Sequence, residues 1–551
     1  MPGRAAMTDA TFDRVNEEHL AGLVDLAPDV GTQLGLTQHD DAWPDPTENG
    51  RGAVLRHVRH WGDALEGLAP EGLTPEQAFD RKVFVAHVEL VRFAHEHAAQ
   101  RRHDPDVLSG VAWTLLRQLQ SPWVPAEQRL ANLAARLRGL DAFLGAARSV
   151  VTAPDTLWTE VARRVAAEAP ALVNAVAQSA RADAVTDALK EDVAHAAESA
   201  LVALHAHQDW LRDLVPTGDH RILGEEKFRE LCRLRALPDD PAALLETGRR
   251  FVAEYRAERR RWAQRVRPGV VVADALRLLE VDAPASFAEG LQRVHRASLA
   301  AREFVREKNL VLLPAGEELV VLETPAPLRP LIPFAALLAA PRFAPEQRSV
   351  YLVTPRADGA LGGFCTPDTE NTAIHEGYPG HHVQQVFANT ATGLLRDGVP
   401  VGITSEPAGA WATDTIEGWA HYCEEMMREE GYRGGAPARL QIAHEALWRA
   451  HRVVLDVGLA TGRTTVEEAV AALTTDLAMP QDAAVAEVAR YTRTPGYPLC
   501  YLVGKQALFD LRRAAKIKWK DAYTPRRFHD LVLTAGNVPM KYVTMRLASG
   551  A

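Results

Sequence analysis

His375 and Glu376 stand side by side in the segment IHEGYPGHHVQ, residues 374–384, and His381 and His382 follow shortly after. Two imidazoles and a carboxylate in one short segment are the makings of a hydrolytic zinc site, in which the histidines hold the ion and the glutamate takes a proton from water. In the short motif HExxH the histidines are four positions apart, about 40° out of register, so both reach one ion at roughly 2.0–2.1 Å. Here position 379 is a proline. On an unbroken helix His381 would point about 120° away from His375, and His382 would face the same way but about 10.5 Å along the axis. Pro379 lacks an N–H and collides with the carbonyl four residues back, that of His375, while Gly380 supplies backbone freedom. The helix must bulge or restart there, and a distant histidine can then return to the ion. The plain alternative makes Pro379-Gly380 a turn and His375 a satisfied polar residue. Either His381 or His382 would be the second ligand.

Catalytic zinc commonly takes three protein ligands. Glu417, in DTIEGWAHYCEEMM, is the best remote carboxylate; the bland reading pairs it with Asp414 at a helix cap. Glu417, His421 and Glu424 share a helical face, which lets Glu424 support a ligand. Two further segments act as controls. HEALWRAH, His444 to His451, has a His-Glu pair but no Pro or Gly to deform its helix, so its imidazoles should stand two turns apart as surface or supporting groups. His95-Glu96-His97 lacks a partner on the correct face.

Amide hydrolysis also needs a donor to the developing oxyanion and an anchor for a charged substrate end. Tyr497 and Tyr501, in GYPLCY, are donor candidates, with half-buried packing as the alternative. Arg452, Arg490 and Lys505 could grip a carboxylate, each against the simpler role of a structural cation.

The elements that must position these groups are helices. Residues 1–215 read as a helical subdomain, with Leu130, Leu133, Leu137, Leu140 and Leu144, and then Leu201, Leu204, Leu211 and Val215, at core-packing spacing. The turn Pro216-Thr217-Gly218-Asp219 marks a boundary, and residues 216–551 form the second, catalytic subdomain. Helices continue to about Glu307; then LVLLPAGEELVVLET, two β-prone runs about Pro314-Ala315-Gly316, and SVYLVT predict a small antiparallel sheet. A glycine-rich loop, ADGALGGF, leads into a helix start at Thr366-Pro367-Asp368, with Thr366 as hydroxyl cap.

Composition narrows the function. With 62 basic against 72 acidic side chains and a formal charge of −10, the chain has no cationic stripe for nucleic acid. Four cysteines, widely spaced and free of CxxC pairs, fit a reduced cytoplasmic protein, and the charged N-terminus does not read as a secretion signal. The apolar run at residues 330–341 is too short to span a bilayer, so no membrane partner is expected.

HEGYPGHHVQ, followed by EGWAHYCEE and PGYPLCYLVGKQALFDLR, resembles a bacterial family known as a domain of unknown function, itself similar to the gluzincin zinc metallopeptidases of the thermostable-carboxypeptidase type. GEEKFRELCR and RVVLDVGL extend the resemblance over most of the chain, most weakly at the N-terminus. It implies a mainly α, gluzincin-like fold with one zinc ion held by His375, His381 and Glu417, with His382 as rival to His381, and Glu376 as general base. After DVGL many relatives have a histidine where this chain has Ala460, so its substrate choice is expected to differ if that group touches substrate. The leading expectation is a zinc peptidase acting on short peptides. The alternatives are a metal-dependent hydrolase or lyase of a small metabolite, and a non-catalytic binding protein.

Overall fold

The computed structural model describes residues 9–68, 72–97, 100–325, 329, 332, 334–356, 358–391 and 411–549. Parts of three expectations lie outside them: residues 1–8 of the N-terminus, Pro330, Leu331 and Pro333 of the apolar run, and Ala357 of the glycine-rich loop.

Leucines at helical spacing make the core, as their periodicity requires. Leu130, Leu133, Leu137, Leu140 and Leu144 line the inner face of the helix Ala126–Val150 and are at most 1% exposed. They pack with Leu204 and Leu211 of the helix Asp187–Asp213. Val215 does not join them. Its helix ends at Asp213, and Val215 is 76% exposed. At the expected boundary the chain is stitched back to the helix start at Asp155, where Thr217 donates to the Pro154 carbonyl (2.9 Å) and His220 to the Asp155 carboxylate (2.7 Å). Apolar clusters run across this point. Ile332, Leu338, Val350 and Leu352 pack into the core of the preceding helices, and Val83, Leu90 and Phe93 into the core around Trp419 and Tyr422.

The protein is mainly helical, and its described residues form one small sheet of three strands, β1 (Glu317–Glu323), β2 (Ala335–Leu338) and β3 (Gln347–Val353), in the order β1-β3-β2. It is mixed rather than antiparallel: β3 runs parallel to β1 and antiparallel to β2. The apolar run at 310–313 was expected to be a strand, but Leu310 and Val311 plug the core at 2% and 3% exposure. The Leu310 carbonyl faces His529 Nδ1 at 2.8 Å instead of a neighbouring strand. β2 comes from the apolar run 330–341, whose prolines masked its strand character. No helix among the described residues is long and apolar enough to cross a membrane.

Candidate metal centre

The helix Thr366–Glu376 starts one residue earlier than its sequence suggests. Cys365 is the flanking residue, and Thr366 uses its hydroxyl on Asp282 rather than as a cap. At the other end the helix stops at Glu376, and a second helix, His381–Ala391, begins at His381. The linking turn is closed by backbone bonds from Tyr378 N to Ala373 O (3.1 Å) and from Gly380 N to Ile374 O (3.1 Å). Gly380 has to be glycine here: a Cβ would lie 1.9 Å from the His375 carbonyl oxygen and 2.3 Å from that of Ile374. The fully buried Trp419 pins the turn, its Nε1 donating to the Pro379 carbonyl at 2.8 Å.

Restarting the helix brings the imidazoles of His375 and His381 to ring centroids 4.7 Å apart, nearly perpendicular at 87°. Glu417, on the helix Thr413–Glu429, reaches between them: its Oε2 lies 3.6 Å from His375 Nε2 and 3.3 Å from His381 Nε2. Among the described residues these three are the group whose ligand atoms could hold an ion, all within 4.8 Å of one another. Ligand atoms about 2.0–2.1 Å from one ion in tetrahedral array stand about 3.3–3.4 Å apart, so the two His–Glu separations suit zinc. All three residues are buried, and Glu417 Oε2 makes no hydrogen bond among the described residues. A buried carboxylate oxygen without a donor is costly unless a cation completes it. Burial would raise the Glu417 carboxyl, but His381 and His375 hold it well below the usual range.

The surrounding groups orient the three. Glu424, fully buried one helical face along from Glu417, accepts from His375 Nδ1 at 2.7 Å, leaving Nε2 for the centre. Asn371 Nδ2 donates to the other Glu424 oxygen at 3.0 Å. Burial opposes a charge on His375, yet Glu417 and Glu424 raise its pKa to about 9. Asp414 is not paired with Glu417; its carboxylate accepts from Met540 N at 2.9 Å. Glu376, half-buried beside His375, has no hydrogen bond or ion pair among the described residues.

His382 does not share the centre. Its Nε2 lies 2.8 Å from Glu317 Oε2 and its Nδ1 2.9 Å from Ser349 Oγ, so it latches the second helix onto β1 and β3. Glu317 also accepts from the Tyr378 hydroxyl. Tyr497 donates to Glu417 Oε1 at 2.6 Å and therefore positions that carboxylate. Tyr501 stacks on His375 at 6.4 Å, and its hydroxyl has no partner among the described residues. Arg452 is not free to bind a substrate end: it donates to Glu487 and to the Tyr491 hydroxyl, both at 3.1 Å, and lies between Trp448 (4.4 Å) and Tyr501 (4.3 Å). Arg490 shares Glu487 at 2.9 Å but is only partly buried. Lys505, buried on the helix Cys500–Trp519, has no ion pair among the described residues, only the Tyr255 ring at 6.0 Å.

The control segments stay apart from the centre. His444 and His451 lie on the unbroken helix Ala436–Ala460 and meet Arg259 (3.3 Å) and Asp476 (2.7 Å), so they are structural groups rather than surface ones. His95 ends in the last turn of the helix Pro75–His97. Two residues escaped the sequence reading. Asn371 stands four positions before His375, a signal that was present, whereas Asp456, which accepts from Gly496 N (2.8 Å) and Leu499 N (3.0 Å) and so shapes the Tyr497 loop, left none.

Two solved structures described as those of putative lipoproteins share this fold. One, from Shewanella oneidensis and of unknown function, is 21% identical with a TM-score of 0.75, covering 98% of this chain and 99% of its own. The other, from Colwellia psychrerythraea, is 16% identical with a TM-score of 0.84, covering 99% of each chain. No curated protein matches. The family model described as bacterial protein of unknown function (DUF885) matches residues 28–547, nearly the whole length, and the chain therefore belongs to that family.

Proposed function

We propose that the chain is a zinc-dependent hydrolase of amide bonds in short peptides, related to the gluzincin metallopeptidases. The observation that carries this reading is the buried Glu417 Oε2, without a hydrogen bond, set between His375 Nε2 and His381 Nε2. Those three residues would hold the ion, which supplies a polarised carbonyl and an acidified water when bound. Glu376 accepts the water's proton and passes it to the leaving nitrogen, a role that suits a carboxylate with no hydrogen bond or ion pair among the described residues. Tyr501, whose hydroxyl has no partner among the described residues, donates to the developing oxyanion, and Tyr497 keeps Glu417 in place. With Arg452 and Arg490 both engaged by Glu487, a charged substrate end falls to Lys505.

Glu376→Gln tests the assignment. The variant is expected to retain stoichiometric zinc and to lose about 10²–10⁴-fold in peptide hydrolysis; full activity would falsify the base. A peptide library left uncut by the zinc-loaded wild type would instead favour a small-metabolite substrate. All four cysteines are free and buried, which suits the cytoplasm, and cell fractionation separates that location from a lipid-anchored one.

A further inference from the structure

Away from the metal centre, residues preceding 215, together with Arg493, line a pocket of about 180 Å³. Val107, Val150 and Trp210 give it an apolar wall. His207, also in its lining, is 1% exposed, yet neither ring nitrogen has a hydrogen-bond partner among the described residues. Buried polar groups are nearly always satisfied, so an imidazole with two idle nitrogens in a cavity wall points to a ligand. Burial and then Arg148 lower its pKa to about 4, so at neutral pH the ring offers one N–H donor and one acceptor.

Arg51, Arg101, Arg148 and Arg493 bring four cations to the lining, and Asp104 and Asp106 two carboxylates. Asp104 and Asp106 are both engaged by Arg493, at 2.8 and 3.1 Å, and Arg101 is paired with Glu48. Arg148, half-buried in the same lining, has a guanidinium with no ion pair or hydrogen bond among the described residues. Trp210 lies 5.1 Å from the His207 ring, tilted by 41°, an aromatic surface beside the polar end. A cavity of about 150 Å³ accommodates benzene, so this volume suits one ring and a short polar group.

We propose that this cavity binds a small organic monoanion, a carboxylate on an apolar body about the size of one aromatic ring, with Arg148 and His207 on the carboxylate and Trp210 against the body. The site is separate from the metal centre and does not depend on the activity assigned there.

Calorimetric titration of the full chain with phenylacetate tests it. One saturable site is expected, with phenylacetamide, the neutral isostere, and the variant Arg148→Gln each weaker by about tenfold or more. Ala147→Phe, which fills the cavity from its lining, should abolish binding while circular dichroism and the unfolding transition stay intact. Protein stripped of metal should bind phenylacetate as the loaded protein does. No binding to wild type at millimolar phenylacetate, equal affinity for acid and amide, or an unchanged R148Q would each overturn the proposal. Binding lost on stripping would assign the ligand to the metal centre and overturn it too. If A147F does not fold, R148Q and the acid–amide pair still decide.

Discussion

Two segments of the chain share a His-Glu pair with a histidine seven positions on, His375 to His382 and His444 to His451, and the fold uses them in opposite ways. In the first, the break at Pro379-Gly380 lets His381 turn back to within 4.7 Å of His375, ring to ring. In the second the helix Ala436–Ala460 is continuous, so its histidines stand about 10.5 Å apart along the axis. What joins them there is a long guanidinium and a carboxylate: Arg259 meets His444 at 3.3 Å and Asp476 at 3.1 Å, and Asp476 meets His451 at 2.7 Å. A distance that an arginine–aspartate pair can span is too wide for a single metal ion. The interruption, more than the histidines, gives the first segment the geometry of a candidate metal site.

The largest effect should come from mending the break. Gly380→Ala drives a methyl into the His375 and Ile374 carbonyls, so zinc affinity should fall by about 100-fold or more, read by competition with a chromogenic chelator. Unchanged zinc binding would separate the turn from the metal. Next comes the group that orients His375: Glu424→Gln should weaken zinc by about 10–100-fold without moving the helices, as crystallography of the variant would show.

Acid should act on the second segment through Asp476. Burial favours its neutral form, but His451 and Arg256 hold its carboxyl well below the ordinary value near 3.9. A depressed carboxylate contributes stability above its unfolded pKa and loses it as pH falls further, so wild type should weaken below about pH 4. Asp476→Asn should lack that acid limb, a difference on the order of 1 kcal/mol because solvent screens the partly exposed pair, visible in urea melts at pH 3 and pH 7. The smallest effect is expected for His444→Ala: zinc content by elemental analysis should match wild type, and a loss of metal would erase the contrast between the segments.

Local chemistry was legible in the sequence wherever one residue dictates it. Pro379 announces the helix break, and the leucines from Leu130 to Leu144 announce a buried face. Choosing His381 over His382 was not possible from spacing, because the choice depends on Glu317 and Ser349, which arrive from strands 65 and 33 positions away. The same holds for Arg452, whose partner Glu487 comes from a different helix. The sheet misled because parallel pairing of β1 and β3 depends on long-range register, and β2 hides among prolines. Val215 carries helical spacing but falls beyond the helix end, where periodicity has no say.

Gly418 and Gly504 face each other where the Glu417 helix crosses the helix bearing Tyr501 and Lys505; a Cβ on Gly504 would sit 1.9 Å from the Asp414 carbonyl oxygen, and one on Gly418 would sit 2.6 Å from the Gly504 carbonyl carbon. With bare backbone against bare backbone, the gap between the carboxylate helix and its aromatic neighbour is set by main-chain atoms, which cannot change rotamer. The pair works as a fixed spacer, and any bulk inserted there would shift Tyr501 off the imidazole it covers.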